Sequence, residues 1–154
     1  FNTSLSWKGF DLSAIFAYSI GGYIYNRDIT MILHNGSLEG RDWSTEILKR
    51  WTPDNRYTDV PALSTTSNNW NSASTRFLQN NSYMRLKNLT LSYNLPKQWI
   101  SKLSLSSVQV YVQGDNLFTI HRNQGLDPEQ GITGITYYRY PAMRTISGGI
   151  NVSF

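Results

Sequence analysis

Strict alternation of side-chain character in residues 82–96 is the feature that most constrains the fold of this chain. In residues 89–95 the odd positions carry Leu, Leu, Tyr and Leu, whereas the even positions carry Thr, Ser and Asn. Successive side chains of a β-strand point to opposite faces, so this pattern predicts a strand with one apolar and one polar face. The run of about thirteen residues is long enough to cross a membrane obliquely, which takes about nine to eleven. Toward the N-terminus the same parity continues through Tyr83, Arg85 and Lys87, and the division into an apolar and a polar face is clean only in residues 89–95.

Four further segments alternate in the same way, which predicts an all-β chain with about five antiparallel strands. These segments are residues 1–8, 10–19, 107–120 and 144–154. Gly9 between the first two indicates a hairpin with a very short turn. In residues 107–120, the alternation places Phe118 and Ile120 on the apolar face and Leu117 on the polar face.

The connections between the predicted strands alternate between short and long. They comprise residues 8–9, 21–81, 97–106 and 121–139. Barrels of the bacterial outer membrane alternate short periplasmic turns with long extracellular loops in this way. Five strands do not close a barrel, because the smallest has about eight, and an open edge in lipid leaves backbone groups unpaired. The pattern therefore predicts part of a larger transmembrane β-barrel.

The first long connection contains a predicted helix. Residues 42–51 begin with candidate capping side chains, carry basic residues at the far end and stop before a Pro. Trp43, Ile47 and Trp51 follow at four-residue spacing, so they are expected to share a face and to pack inward. Residues 58–74 are rich in Ser, Thr and Asn, which indicates an irregular loop. A turn of helix is also expected around Trp99.

Composition excludes several classes of protein. The 14 Lys and Arg are scattered, so the net charge of +4 does not indicate a nucleic-acid-binding protein. There is no Cys, which excludes disulfide scaffolds and thiolate chemistry. Mean hydropathy is −0.40 and no run of about eighteen apolar residues occurs, so membrane-spanning helices are not expected. This hydropathy suits a membrane barrel with a polar lumen, and a soluble all-β domain as well.

The alternation assigns strand residues to lipid or to lumen. The predicted lipid-facing set is Leu89, Leu91, Tyr93, Leu95, Val108, Val110, Val112, Ile146 and Ile150, with Val152 and Phe154. The predicted lumen-facing set is Asn88, Thr90, Ser92, Gln109, Gln113 and Asn151, with Ser153. Tyr93, Leu95 and Trp99 lie near a short turn and could form a periplasmic aromatic belt.

Five motifs, in order, resemble one family. Tyr-Met-Arg-Leu-Lys-Asn-Leu-Thr-Leu-Ser-Tyr-Asn-Leu-Pro at residues 83–96 is similar to a segment near the C-terminus of SusC/RagA-type TonB-dependent transporters of the Bacteroidetes outer membrane. Similar family motifs occur at residues 48–55, 110–120, 125–131 and 140–154. The matches span residues 43–154. The resemblance implies that residues 1–154 are the last five strands of a plugged barrel of about twenty-two strands.

The same resemblance implies function, partners and location. Glycans or peptides would enter through the lumen, with energy supplied by TonB through an N-terminal plug that is not in this sequence. The expected partners are the rest of the barrel and plug, a SusD-like surface lipoprotein, TonB and outer-membrane lipids. No catalytic arrangement stands out, so an enzyme is not expected, and no cofactor is predicted. Nucleic acid is not an expected partner.

The C-terminal residues resemble an outer-membrane assembly signal. Its pattern is a polar residue, any residue, Gly, two of any kind, an apolar residue, any residue and a terminal aromatic. Ser147, Gly149, Val152 and Phe154 fit it. The alternative is an ordinary strand that ends in Phe.

Several residues outside the strands have two interpretations. Asp115, Asp127 and Glu129 could bind calcium or substrate, although turn or capping roles are favoured. His34 and His121 have no ligand spacing, so no zinc site is expected. Four loop aromatics could stack on sugar rings, or could pack within the loop or against a partner, which is favoured. They are Trp43, Trp51, Tyr57 and Trp70.

Two other functional classes remain open from the sequence. One is a barrel with a structural role and no transport. The other is a soluble carbohydrate-binding β-sandwich. A sandwich would bury Phe154 and the apolar stripe of residues 89–95 in a closed core, whereas a membrane barrel would leave them exposed on the isolated sheet.

Overall fold

The computed structural model describes residues 1–36, 38, 40–64, 66, 72–103, 105–123, 125, 127–129, 133–136 and 139–154. The described strands are β1 (Asn2–Trp7), β2 (Phe10–Ser19), β3 (Tyr23–Asn26), β4 (Leu78–Asn80), β5 (Tyr83–Asn94), β6 (Ser107–His121), β7 (Ile135–Thr136) and β8 (Thr145–Ser153). The described helices are α1 (Arg27–Ile32), α2 (Lys97–Ile100) and 3₁₀ turns at Thr45–Lys49, Thr75–Phe77 and Ser101–Leu103. These elements form two compact units.

The first unit is an antiparallel sheet of five strands in the order β1-β2-β5-β6-β8. These are the five strands that the alternation predicts. The β1–β2 hairpin turns at Lys8 and Gly9, which have φ of 47° and 88°. Positive φ at both central residues is the geometry of a type I′ turn, whose twist matches that of the flanking strands. The 97–106 connection contains the expected turn of helix as α2.

A bulge in β5 changes the predicted faces of its first half. Ala14 of β2 lies opposite Leu89, whereas Phe16 lies opposite Leu86, so one residue of β5 is extra at this point. The parity that connects Tyr83 and Arg85 with Leu89 therefore does not continue the apolar face. An extra residue reverses the parity, so Met84 and Leu86 join the apolar face. Arg85 moves to the polar face.

A second irregularity, in β6, brings Leu117 to the apolar face. Asn116 has φ of 52°, in the left-handed region that Asn tolerates better than most residues. The Leu117 side chain folds back over Gly114, so a Cβ added to Gly114 would lie 2.6 Å from Leu117 Cδ2. The prediction that Leu117 lies among the polar side chains is wrong, because strict alternation fails where the strand bulges.

The second unit comprises residues 22–80 and 123–140. It contains a small sheet in the order β4-β3-β7, with β4 antiparallel and β7 parallel to β3. Its largest fully buried side chains among the described residues are Ile24, Asn26, His34 and Phe77. The sequence predicted only a helix and irregular loop here, so this sheet was missed.

The helix predicted for residues 42–51 is a shorter 3₁₀ turn, Thr45–Lys49. Ser44 caps it by accepting a hydrogen bond from the Glu46 N–H. Ile47 is buried as predicted, but Trp43 and Trp51 are 46% and 44% exposed, so the prediction that both pack inward is wrong. A 3₁₀ turn has three residues per turn, so side chains four apart do not share a face.

No described helix is both long enough and apolar enough to span a membrane.

Candidate functional site

The five-stranded sheet has one continuous apolar face. Opposing pairs across it include Leu12 with Leu91, Leu91 with Val112, and Val110 with Ile150. This face is uncovered: Leu91 is 43% exposed and Phe154 is 91% exposed. A β-sandwich would close its core over such a face, so the exposure argues against the soluble alternative. The predicted lipid-facing residues of β5, β6 and β8 all lie on this face.

Aromatic side chains gather at the turn end of this face. The rings of Phe10 and Tyr93 are opposite each other with centroids 4.4 Å apart. Trp7 pairs with Phe10 in the hairpin and is 64% exposed. Leu95 continues the pairing beyond β5, since its N–H donates to the Val108 carbonyl at 2.9 Å. Trp99 in α2 is 63% exposed. Phe10 and Trp7 were not named in the sequence prediction of a belt, although the hairpin signal placed them at the same end.

A shallow apolar groove lies at the centre of the same face. Its volume is about 310 Å³. Gly114 lacks a side chain there, and the floor and walls are formed by neighbouring strands. The lining residues are Leu12, Leu89, Leu91, Val112, Gln113, Gly114, Leu117 and Ile146.

The opposite face carries a network of hydrogen bonds centred on Asp115. Asn88 Nδ2 donates to Asp115 Oδ1 at 2.8 Å, and Gln113 Nε2 donates to Asp115 Oδ2 at 3.2 Å. Thr90 Oγ1 in turn donates to Asn88 Oδ1 at 2.9 Å. Asp115 therefore connects polar side chains of β5 and β6. The sequence favours a turn or capping role for Asp115, whereas in the structure its carboxylate accepts hydrogen bonds from two strand side chains.

Two further networks extend along this polar face. Gln109 bridges three strands: its Nε2 donates to Ser92 Oγ at 3.3 Å, and its Oε1 accepts from Asn151 Nδ2 at 3.2 Å. At the turn end, Asp11 Oδ2 accepts from Asn94 Nδ2 at 2.7 Å. Six of the seven predicted lumen-facing residues thus take part in the hydrogen bonds of one face. The seventh, Ser153, pairs with Ser107 at the end of β8.

The polar face also contains residues that the sequence did not assign to it. Arg85 is only 3% exposed, and its Nε donates to Thr119 Oγ1 at 2.8 Å. The bulge in β5 places Arg85 here, and no residue in the local sequence marks that bulge. Ile15 lies opposite Asn88 on this face, and Tyr111 lies opposite Gly149.

The four residues of the predicted assembly signal divide between the two faces. Ser147 and Gly149 pair with Gln113 and Tyr111 on the polar face. Val152 pairs with Val108 on the apolar face, and Phe154 follows the end of β8.

The loop aromatics belong to the second unit. Trp43 lies beside the buried His34, with ring centroids 5.2 Å apart. The backbone N–H of Trp51 donates to the Val60 carbonyl at 2.7 Å. Tyr57 is fully exposed. Trp70 lies outside the described residues. The three that are described therefore do not form one buried cluster.

Asp127 of the second unit forms a turn with Glu129. Asp127 Oδ1 accepts a hydrogen bond from the Glu129 N–H at 3.0 Å, as in an Asx turn, which is the favoured interpretation of this motif. Partial burial lowers the pKa of Arg76, and the carboxylate of Asp59 opposes that shift. Among the described side chains, no three His, Asp or Glu are grouped closely enough to hold a metal ion.

Comparison with known proteins gives relatives over the whole chain, although no family model matches. TonB-dependent receptor P3 of Formosa agariphila is 34% identical over 100% of this chain. TonB-dependent receptor SusC of Bacteroides thetaiotaomicron is 28% identical over 99% of it. These matches cover 16% and 14% of the two relatives, so the chain spans about a sixth of their length.

Comparison with solved structures also gives matches over nearly the whole chain. A chain of the RagAB peptide importer in its open-open state superposes with a TM-score of 0.88 and 34% identity, covering 99% of this chain and 16% of that one. In the closed-closed state of RagAB the TM-score is 0.85 at the same identity. The similar proteins are receptors and importers rather than enzymes.

Proposed function

Because the chain belongs to the SusC/RagA type of TonB-dependent receptors and folds as a segment of a β-barrel, we propose that it is the C-terminal part of the barrel of an outer-membrane transporter. The whole protein imports glycans or peptides across the outer membrane. TonB drives the import through an N-terminal plug. The observation that carries this proposal is the sheet with one exposed apolar face and one hydrogen-bonded polar face.

The apolar face contacts lipid in this proposal. In the membrane, acyl chains cover the exposed side chains of Leu91, Val112 and Ile146 in place of water. Full burial of one such side chain stabilises the inserted protein by about 1.5–3 kcal/mol. Phe10, Tyr93 and Trp99 lie at one end, where amphipathic rings suit the interface between membrane and water. That end is the periplasmic side, because the short β1–β2 and β5–β6 connections are there.

The polar face lines the lumen. Side chains in the interior of a large plugged barrel face water, the plug or passing substrate, so their polar groups need partners of their own. Asp115 and Gln109 supply such partners within the sheet. The lumen wall is thereby held in a fixed arrangement that the plug can contact.

The second unit forms extracellular loops that contact a SusD-like lipoprotein. It contains the two long connections, which in the chain join β2 to β5 and β6 to β8. The exposed aromatic Tyr57 and the half-exposed Trp43 and Trp51 suit partner contact, because protein interfaces are enriched in Tyr and Trp. The similar RagAB complex is a peptide importer, which supports peptides as one substrate class.

Spin-label accessibility in the full-length protein tests the orientation of the sheet. A label at Leu91 should be relaxed by oxygen, which partitions into lipid, and a label at the adjacent Thr90 by a water-soluble nickel chelate. The reverse pattern would contradict the proposed faces.

Growth on a single nitrogen or carbon source tests transport. Cells that lack the protein should fail to use one class of peptide or glycan, and cells that lack TonB should show the same defect. Normal uptake without the protein would favour a barrel with a structural role. Replacing Tyr57 by Ser should lower recovery of the lipoprotein with the transporter, while Tyr18→Ser on the sheet should not.

A further inference from the structure

The Tyr111 side chain of β6 lies across the backbone of Gly149 in β8. A Cβ built on Gly149 would lie 2.7 Å from Tyr111 Oη, 2.8 Å from Cζ and 2.9 Å from Cε1. Real Cβ atoms do not approach other atoms this closely, so the ring occupies the place of a side chain. The two residues are directly opposite each other in the β6–β8 pairing.

The neighbours of Tyr111 on the polar face restrict where its ring can go. Residues two positions before and after it on β6 are Gln109 and Gln113. Gln109 is hydrogen-bonded to Ser92 on one side and to Asn151 on the other, and Gln113 is hydrogen-bonded to Asp115. Both flanking side chains are therefore held, and the ring lies over Gly149, the only glycine on the polar face of β8.

That gap exists at a single position on the polar face of β8. The other residues of β8 on this face all carry a Cβ, and they are Thr145, Ser147, Asn151 and Ser153. Gly148 lies on the opposite face, across from Val112. A shift of the β6–β8 pairing by two residues would keep the faces but place Tyr111 opposite Ser147 or Asn151. A shift by one residue would exchange the two faces.

We propose that Tyr111 and Gly149 form a register pair that fixes how β6 pairs with β8. The ring fits over β8 only in the observed register, so the pair disfavours the shifted alternatives that the apolar pattern alone would tolerate. The inference rests on the proposed outer-membrane barrel. It gives Gly149 a role inside the sheet, distinct from recognition of the C-terminal residues by an assembly machine.

Disulfide cross-linking on the apolar face reads the register directly in the full-length protein in cells. Val108 lies opposite Val152 in the observed pairing, whereas a shift by two residues would place it opposite Ile150 or Phe154. Cysteines at 108 and 152 report the observed register. Cysteines at 108 and 150, or at 108 and 154, report the two shifted ones. This segment has no Cys of its own, so the engineered pair adds the only thiols within it.

The test compares Gly149→Ala in three backgrounds, with Tyr, Phe or Ala at position 111. With Tyr or Phe at position 111 the ring remains. Gly149→Ala should then lower the yield of the 108–152 disulfide about fivefold or more relative to the same background with Gly149, as expected for an overpacked site. With Ala at 111 the ring is gone, and Gly149→Ala should change the yield little.

Two results would overturn the proposal. One is an equal loss in all three backgrounds, which would assign Gly149 to contact with another protein. The other is no loss with Tyr at 111, which would show that the ring moves aside. If the unsubstituted protein were missing from the outer membrane, the proposed function would fail instead, and the cross-link would still report the register.

Discussion

Asn88 and Asp115 lie directly opposite each other where β5 and β6 change register, and the Asn88 amide donates a 2.8 Å hydrogen bond to the carboxylate. Gln113 and Thr90 extend this contact along both strands. The network lies beside the bulge, where regular backbone pairing is interrupted. Side chains thus connect β5 and β6 at the point where the ladder between them is irregular.

Asp115→Ala should destabilise the assembled barrel. The substitution leaves the Asn88 and Gln113 amides without their acceptor, which costs about 1–3 kcal/mol for buried groups and less for these half-buried ones. Asp115→Asn keeps an acceptor oxygen and should cost less. Thermal unfolding in detergent measures both, and equal melting temperatures for the Ala variant and the parent would contradict a stabilising role.

Arg at position 91 should be far more costly than Arg at position 90. Leu91 is on the exposed apolar face, where a cation near the bilayer midplane costs about 2–4 kcal/mol. Thr90 is on the polar face, where the substitution removes one hydrogen bond to Asn88. Urea titration of both variants in lipid vesicles gives the difference. Similar losses for the two would show that the faces are not lipid and lumen.

The turn between β1 and β2 should depend on Gly9. Gly9 has φ of 88°, and a Cβ there would lie 3.1 Å from the Asn94 carbonyl oxygen. Gly9→Val should therefore cost about 1–3 kcal/mol, the range for residues forced into such a conformation. Lys8→Asn is the control, because Asn is favoured at the φ of 47° found there and should cost nothing. Equal refolding yields for the two variants would show that folding of the barrel does not depend on the type I′ turn.

Sequence alone predicts the five strands because each keeps one face apolar over most of its length. It fails at Lys87 and Asn116, since a bulge depends on how neighbouring strands align and leaves no periodic signal. The pattern therefore misplaced Arg85 and Leu117, the former a buried member of the polar face.

The second unit was missed for a related reason. Tyr25 in the short strand β3 pairs with Leu78 and Ile135, which are distant in sequence. Strands of two to four residues show too little alternation to stand out. The spacing of Trp43, Ile47 and Trp51 matches the period of an α-helix, whereas the segment between the two Trp residues contains the 3₁₀ turn Thr45–Lys49.

Trypsin added to intact cells should cleave after Arg56. This residue and the fully exposed Tyr57 lie in the second unit, which we place outside the cell. The variant Arg56→Gln should lose that fragment and retain any others, which identifies the site. Cleavage only after the outer membrane is permeabilised would put the long connections in the periplasm and reverse every strand direction.

Phe154 should matter more for assembly than for the stability of the finished barrel. Its side chain is 91% exposed, so few contacts within this sheet depend on it, and burial of one aromatic against lipid contributes about 1.5–3 kcal/mol. Before closure, β8 is an edge strand that an assembly machine can bind by strand addition. An aromatic side chain after Val152 on the same face would mark the register of β8 for that contact.

Phe154→Ser should therefore lower the amount of the protein in the outer membrane, while assembled molecules keep a melting temperature close to that of the parent. Phe154→Tyr retains the ring and is the control. If the Ser variant were inserted at the level of the Tyr variant, Phe154 would have no role in assembly, and a reduced melting temperature with normal insertion would make it a packing residue instead.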